Sequence, residues 1–306
     1  GEDMWQESHE LLKAVFMDIE KRYDRTIMPV ISTTYIEGLD RAIDPGFWPG
    51  DFVVIGGMPV SGKTTLAIQL LLSATHHLDF WPLGANASKL LALQSPRKTS
   101  GKFASTLVFA PKDGVKKYIF KIMSAMGGPP LPRINSTNLQ TRDWAKLTKV
   151  AGRLRDLSIS MGDESILTIS SIEKIVREWR EFNPETQNVV NYALQSLQTD
   201  DGWKDMAEIS CRLKCLARDT DVLFMIVSSL DHKVDDDSGD KSALSFSSLD
   251  KLGALADDAD TVVLTDIDCS SAKQGSLFLA KHIQNVGREI LVKPIWQNGY
   301  SLSSQK

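Results

Sequence analysis

The chain has 306 residues, 42% of them hydrophobic and 24% charged, with 35 Lys and Arg against 39 Asp and Glu. A net charge of −4 excludes a globally basic nucleic-acid binder and leaves only a local patch for any DNA contact. No apolar run reaches the roughly 18 residues of a membrane span, and the three cysteines, Cys211, Cys215 and Cys269, are too few and too badly spaced for a disulfide framework or a zinc site.

The start, Gly1-Glu2-Asp3, has no Met and no signal-peptide pattern, as expected of a trimmed piece. Buried or half-buried free thiols fit a reducing cytosol, so a cytoplasmic location is expected. Residues 5–24 carry Leu12, Val15, Phe16, Ile19 and Tyr23 at spacings of three and four, one face of an amphipathic helix. That stripe needs a surface, on this chain or on a neighbour. Residues 27–50 form a connecting segment with Pro29, Pro45 and Pro49.

The next unit carries the clearest chemistry. Residues 51–56 read as a buried strand, and 65–72 read as a helix. Between them runs Gly57-Met58-Pro59-Val60-Ser61-Gly62-Lys63-Thr64, a complete G-x-x-x-x-G-K-[ST] phosphate loop in its expected context. Glycines at a strand-to-helix turn let backbone N–H groups converge on an anion at the helix N-terminus. Gly57, Pro59, Val60, Ser61, Gly62, Lys63, Thr64 and Thr65 are therefore the candidate nucleotide-binding residues. Lys63 is expected to reach the β- and γ-phosphates of ATP, and the Thr64 hydroxyl to join Mg²⁺.

Residues 76–103 are rich in Pro, Ser, Gly and Asn and far exceed a usual connection, so they read as an insertion. Strands are expected at 105–110, 166–169, 188–190, 222–227, 261–264, 276–280 and 290–292. Helices are expected at 115–126, 143–157, 172–182 and 203–218. The alternation implies an α/β fold, a mostly parallel sheet with helices on both faces, and the crowded last strands imply a mixed edge. His76, His77 and His232 lack metal-ligand spacing, and Trp48, Trp144 and Trp296 read as packing residues.

Several stretches together resemble the motor domain of DnaB-family replicative helicases. They are Ile36-Glu37-Gly38-Leu39-Asp40-Arg41, Gly46-Phe47-Trp48-Pro49-Gly50-Asp51, the phosphate loop, Thr141-Arg142-Asp143-Trp144, the helix 207–218, Val227-Ser228-Ser229-Leu230 and the run 253–260. The resemblance spans nearly the whole chain. It implies a RecA-like P-loop NTPase domain over 31–306 preceded by a linker helix and connection over 1–30. It also implies self-association into a ring, expected to be a hexamer or a co-assembly with a related helicase, with ATP at subunit interfaces and single-stranded DNA as a possible central ligand.

The departures from that family fall on its chemistry. Lys112 stands where the family has the water-polarising Glu, and a cation cannot accept the water's proton. Asp113 is one residue off, the opposite face of a strand. Asn191 replaces the Asp that helps hold hydrated Mg²⁺, so it would contact metal only weakly, through water. Ser229 replaces the Gln that can sense the γ-phosphate. In the family's trans-acting element Lys281 is kept as a candidate, but Ile283 replaces the arginine finger. The acidic loop 234–240 reads as a solvated surface.

These residues lead us to expect a DnaB-like domain that binds ATP, with weakened Mg²⁺ binding and impaired hydrolysis. Two alternatives stay open: a fully active 5′→3′ DNA helicase with groups supplied from elsewhere in a ring, and a nucleotide-gated interaction module that does not unwind DNA.

Overall fold

The computed structural model describes residues 8–24, 26–75, 104–110, 114–136, 138–162, 167–184, 188–193, 197–202, 205–230, 250, 252–267, 275–282, 287–294 and 302–304. Residues 188–193, 288, 293–294 and 302–304 are described in backbone only. The expected insertion 76–103 lies outside the described residues. So do Lys112, Asp113, Ile283, the loop 234–240, His76, His77, His232, Trp296 and Cys269.

The main sheet contains β1 (Phe52–Gly57), β2 (Thr106–Phe109), β3 (Ile159–Gly162), β5 (Asn188–Ala193), β7 (Val222–Ser229), β8 (Thr261–Asp266), β9 (Gly275–Lys281), β10 (Arg288–Pro294) and β11 (Leu302–Ser304). Their order is β11-β10-β9-β8-β1-β7-β5-β2-β3. From β8 to β3 the pairs are parallel, whereas β9, β10 and β11 add an antiparallel edge, as the crowding of the last strands implied. A short separate pair joins β4 (Leu167–Thr168) to β6 (Leu197–Gln198).

Strands buried on both faces read as unbroken apolar runs, which is why β1 and β7 were visible in the sequence. Their alternate residues serve opposite layers. Phe52, Val54, Phe224 and Ile226 face α7 (Ile169–Phe182), α8 (Met206–Thr220) and α9 (Ala254–Asp258). Val53, Ile55, Met225 and Val227 face α2 (Glu37–Ala42) and α3 (Lys63–Ala74). Val108 packs with α4 (Val115–Ala125) and α6 (Thr141–Arg155) on that second side. One-turn α5 (Leu131–Ile134) lies between α4 and α6.

Several expectations need correction. The strand expected at 166–169 contributes only β4, outside the main sheet, because Thr168 caps α7: its Oγ1 accepts the Ser171 N–H at 3.3 Å. Trp144 was expected to be a packing residue, yet it is 59% exposed, and Val150 carries the buried contact of α6. Cys211 is exposed rather than buried, while Cys215 is half-buried. The amphipathic helix forms as α1 (Ser8–Tyr23), with none of its residues buried. Leu12 and Phe16 remain 57% and 62% exposed. Its end is marked by the Arg22 guanidinium, 4.6 Å above the Trp48 ring.

Residues at the start of β1 explain several of the recognisable stretches. Asp260 Oδ2 accepts the Phe52 N–H at 2.7 Å, and its own N–H donates to Phe52 O at 2.9 Å. Lys214 of α8 pairs with the same carboxylate, and Ser210 Oγ donates to Ala254 O at 3.0 Å. The 207–218 helix and the 253–260 run thus meet to hold the strand's entry. Asp40 accepts from Thr34 N, Thr34 Oγ1 and Thr33 Oγ1 at 2.6, 2.6 and 2.8 Å. Thr34 O in turn accepts from Gln69 Nε2 of α3 at 2.8 Å, so the Gly38-Leu39-Asp40 approach is tied to the helix that follows the phosphate loop. Gly38 is needed because a Cβ there would lie 2.6 Å from Ile290 Cγ2.

Two outcomes follow from this packing. Phe224 is fully buried and edge-to-face with Phe52 at 6.3 Å between centroids, so Phe224→Ala is expected to cost about 3–5 kcal/mol in urea unfolding. Phe182→Ala, at an 85% exposed position, should stay within about 0.5 kcal/mol. Burial pushes the Asp51 carboxyl up to about 6, against the Trp48 N–H bond that lowers it and with Asp260 raising it further. The folded state then holds a proton that the unfolded chain has released, so this group's contribution to stability falls as pH rises from about 4 to 6. Across that window the wild type should lose more stability, or gain less, than Asp51→Asn as pH rises in unfolding measurements; identical slopes would contradict the assignment.

Candidate functional site

The sequence from 57 to 64 forms a loop between the C-terminal end of β1 and the N-terminus of α3. Gly62 sits at φ 86°, ψ 5°, the left-handed region that glycine enters without penalty. From it α3 begins at Lys63, and its first turn holds no acidic residue. The positive end of the helix dipole therefore meets no competing carboxylate there. Val60 is also at positive φ, 66°, and is 76% exposed at the loop's crest. A β-branched residue in that conformation is strained.

Both neighbours of β1 grip the loop. On one side the Leu230 N–H, just beyond β7, donates to Gly57 O at 2.9 Å. On the other, Ser61 Oγ lies 2.8 Å from Thr265 Oγ1 of β8, and the Ile267 N–H donates to Ser61 O at 3.1 Å. Gly57 fits because it has no side chain: a Cβ would lie 2.4 Å from Ser61 Oγ and 2.6 Å from Thr265 O.

The loop's donors are turned inward in this structure. Lys63 is buried, and its Nζ donates to Gly57 O at 2.9 Å and to Met58 O at 2.5 Å. The Ser61 N–H also donates to Met58 O, at 3.2 Å. A phosphate would replace these carbonyls as the partner of the ammonium. Thr64 is half-exposed in the first turn of α3, and Thr65 is buried behind it. Pro59 is exposed beside Val60. The cradle therefore fits a polyphosphate: a cation at Lys63 and a helix N-terminus entered through left-handed Gly62.

The remaining candidates are dispersed. Ser229 ends β7 opposite Gly57 in the register, adjacent to the loop. Asn191 lies in β5, opposite Val108 of β2 and Met225 of β7. Lys281 ends β9 at the other end of the sheet. It pairs with Val262, and Val262 pairs with Val54, three residues or roughly 10 Å back from Gly57. Its Nζ donates to Ala256 O at 2.8 Å and Asp257 O at 2.7 Å, capping the C-terminal carbonyls of α9. It therefore faces away from its own loop. A cleft of about 1110 Å³ opens at that far end, lined by Arg22, Trp48, Asp51, Asp260 and Lys281 among others. It lies at the strand starts, away from the phosphate loop.

Sequence reasoning missed Thr265 and Ile267, because neither belongs to a motif and both lie about 200 positions from the loop they hold. The only signal was that a polar Thr follows the apolar run of β8.

Comparison with known proteins gives the geometry a setting. Residues 31–293 match the family model of the DnaB-like helicase C-terminal domain. The replicative DNA helicase DnaB of Leifsonia xyli subsp. xyli is 24% identical over 266 residues, which cover 84% of this chain and 52% of that protein. The replicative DNA helicase DnaC of Bacillus subtilis is 24% identical over 264 residues, with the same coverage of 84% and 52%. The chain thus spans about half the length of these curated relatives. Among solved structures, an isolated ATPase domain superposes with a TM-score of 0.75 at 20% identity, covering 99% of this chain and 100% of that one. A DnaB-like replicative helicase, solved in a study of its interactions with primase, superposes at 0.75 and 21% identity, covering 98% of this chain and 69% of that one. These superpositions establish a RecA-like α/β fold.

The close approach at Gly57 can be tested by unfolding. Gly57→Ala is expected to destabilise the protein by about 1–3 kcal/mol in urea, because the added methyl overpacks the loop against β8. Gly127→Ala, at φ 91° with nothing within 4 Å among the described residues, should show only the cost of the backbone conformation, about 1 kcal/mol. A smaller effect at Gly57 than at Gly127 would contradict the packing described.

Proposed function

The chain belongs to the DnaB-like helicase C-terminal domain family, and on that premise we propose that it is the motor domain of a replicative DNA helicase that binds ATP at residues 57–64 but hydrolyses it slowly. The observation that carries the reading is the phosphate loop held between β7 and β8 at the N-terminus of α3, with the Lys63 ammonium inside it. Gly57, Pro59, Val60, Ser61, Gly62, Lys63, Thr64 and Thr65 would line the nucleotide, Lys63 neutralising phosphate charge. Mg²⁺ would be held by the Thr64 hydroxyl and, weakly through water, by Asn191; when bound it supplies charge neutralisation to the phosphates.

Impaired hydrolysis is supported by residue chemistry alone. Lys112 cannot act as a base, Asn191 lacks a charge, Ser229 is too short to replace Gln, and Ile283 cannot serve as a finger worth about 10³–10⁵ in rate. Ring assembly, as a hexamer or with a related helicase, is supported by the uncovered stripe of α1 and by Lys281, which lies too far from its own loop to act there. Single-stranded DNA is the ligand such a ring would enclose, and the relatives' replication role suggests a cytoplasmic setting. A second reading, a nucleotide-gated interaction module, draws on the same exposed stripe: Leu12 and Phe16 would dock a partner without unwinding.

Steady-state turnover tests the proposal. We expect ATP binding that is lost in Lys63→Ala, with turnover below about 1 s⁻¹ even with single-stranded DNA. Lys112→Glu alone should not restore activity, because Asn191 and Ile283 remain. DNA-stimulated turnover above that rate in the wild type would overturn the impaired-motor reading and favour an active helicase. Recovery in Lys112→Glu would show that a single replaced residue limits the rate.

A further inference from the structure

We propose that Thr265 is a positioning residue for the phosphate loop, its hydroxyl fixing the shape in which Ser61 and Gly62 meet a polyphosphate. The inference rests on the nucleotide reading above and adds a group outside the loop motif, 204 positions along the chain from its partner.

Thr265 is fully buried. Its Oγ1 lies 3.3 Å from Gly56 O and 2.8 Å from Ser61 Oγ. A carbonyl can only accept and a hydroxyl has one proton. Either hydroxyl can therefore be the donor in the 2.8 Å contact, with Gly56 O as a second, longer acceptor for Thr265 at 3.3 Å. In either direction the bond ties the Ser61 side chain to β8. The Ile267 N–H on Ser61 O holds the same residue by its backbone. Ser61 is thus anchored twice to the end of β8, immediately before left-handed Gly62 and Lys63.

The anchor also gives the loop a mechanical neighbour. β8 pairs with β1 on one side and with antiparallel β9 on the other. A displacement of the β8–β9 hairpin would reach the loop through Thr265, and a ligand that reshapes the loop would pull on the hairpin. On the β7 side, the corresponding link at Leu230 is made by backbone alone.

The test compares Thr265→Val, which keeps shape but removes the hydroxyl, with Thr265→Ser, which keeps the hydroxyl. ATP binding with Mg²⁺ is measured by calorimetry, and amide hydrogen exchange of residues 60–63 is followed without nucleotide. Thr265→Val should weaken ATP about tenfold and speed exchange, while Thr265→Ser should stay within about twofold of wild type. Should Thr265→Val not fold, Ser61→Ala breaks the same bond from the other partner and is expected to act alike. ATP affinity and exchange unchanged in Thr265→Val would overturn the proposal, and so would a Thr265→Ser as weak as Thr265→Val. If the wild type binds no ATP, the nucleotide reading fails on its own, and loosened exchange in Thr265→Val still decides whether the clamp exists.

Discussion

Every residue of β1, from Phe52 to Gly57, is buried, and both of its ends are held by side chains from distant parts of the chain. At the entry, Asp260 exchanges two hydrogen bonds with Phe52 while paired to Lys214. At the exit, Leu230 and Thr265 hold the turn into the phosphate loop from the two flanking strands. A loop that must present converging N–H groups cannot also supply its own stability, since a Gly-rich turn buries little apolar surface. Its shape is therefore borrowed from the strand beneath it and the strands beside it. That constraint links the core packing of Phe52, Phe224 and Val54 to any chemistry at Lys63.

Stretches that look like a signature of function in the sequence turn out to be largely structural in this chain. Asp40 organises a threonine turn and, through Thr34, touches α3. Asp260 and Lys214 close the entry of β1. Lys281 caps α9. Asp40 reaches the helix that follows the loop, whereas Asp260, Lys214 and Lys281 act at the opposite end of the sheet. The proposal of slow hydrolysis rests instead on the residue types at Lys112, Asn191, Ser229 and Ile283.

Much of the fold was legible because its physics is local. The glycine spacing of 57–64, the unbroken apolar runs of β1 and β7, and the 3.6-residue stripes of α4 and α8 each announce themselves within a dozen residues. Other features were illegible for equally physical reasons. β3 is a four-residue edge strand with no buried position, so it has no alternation to read. α2 buries only Leu39 and Ala42. The premature start of α7 depends on one capping hydroxyl, Thr168. Within the site, Lys63 and Gly62 could be read directly, whereas Thr265 could not, because a contact across some 200 residues exists only once β8 lies beside β1.

The central claim, that the 57–64 loop is a phosphate cradle whose lysine is parked on its own carbonyls, is tested most directly by an experimental structure with ATP and Mg²⁺. The account predicts phosphates against the N-terminus of α3, with Lys63 Nζ moved from Gly57 O and Met58 O onto a phosphate oxygen, and with the Ser61–Thr265 bond preserved. A nucleotide bound elsewhere, or Lys63 still on those carbonyls with ATP in place, would contradict it.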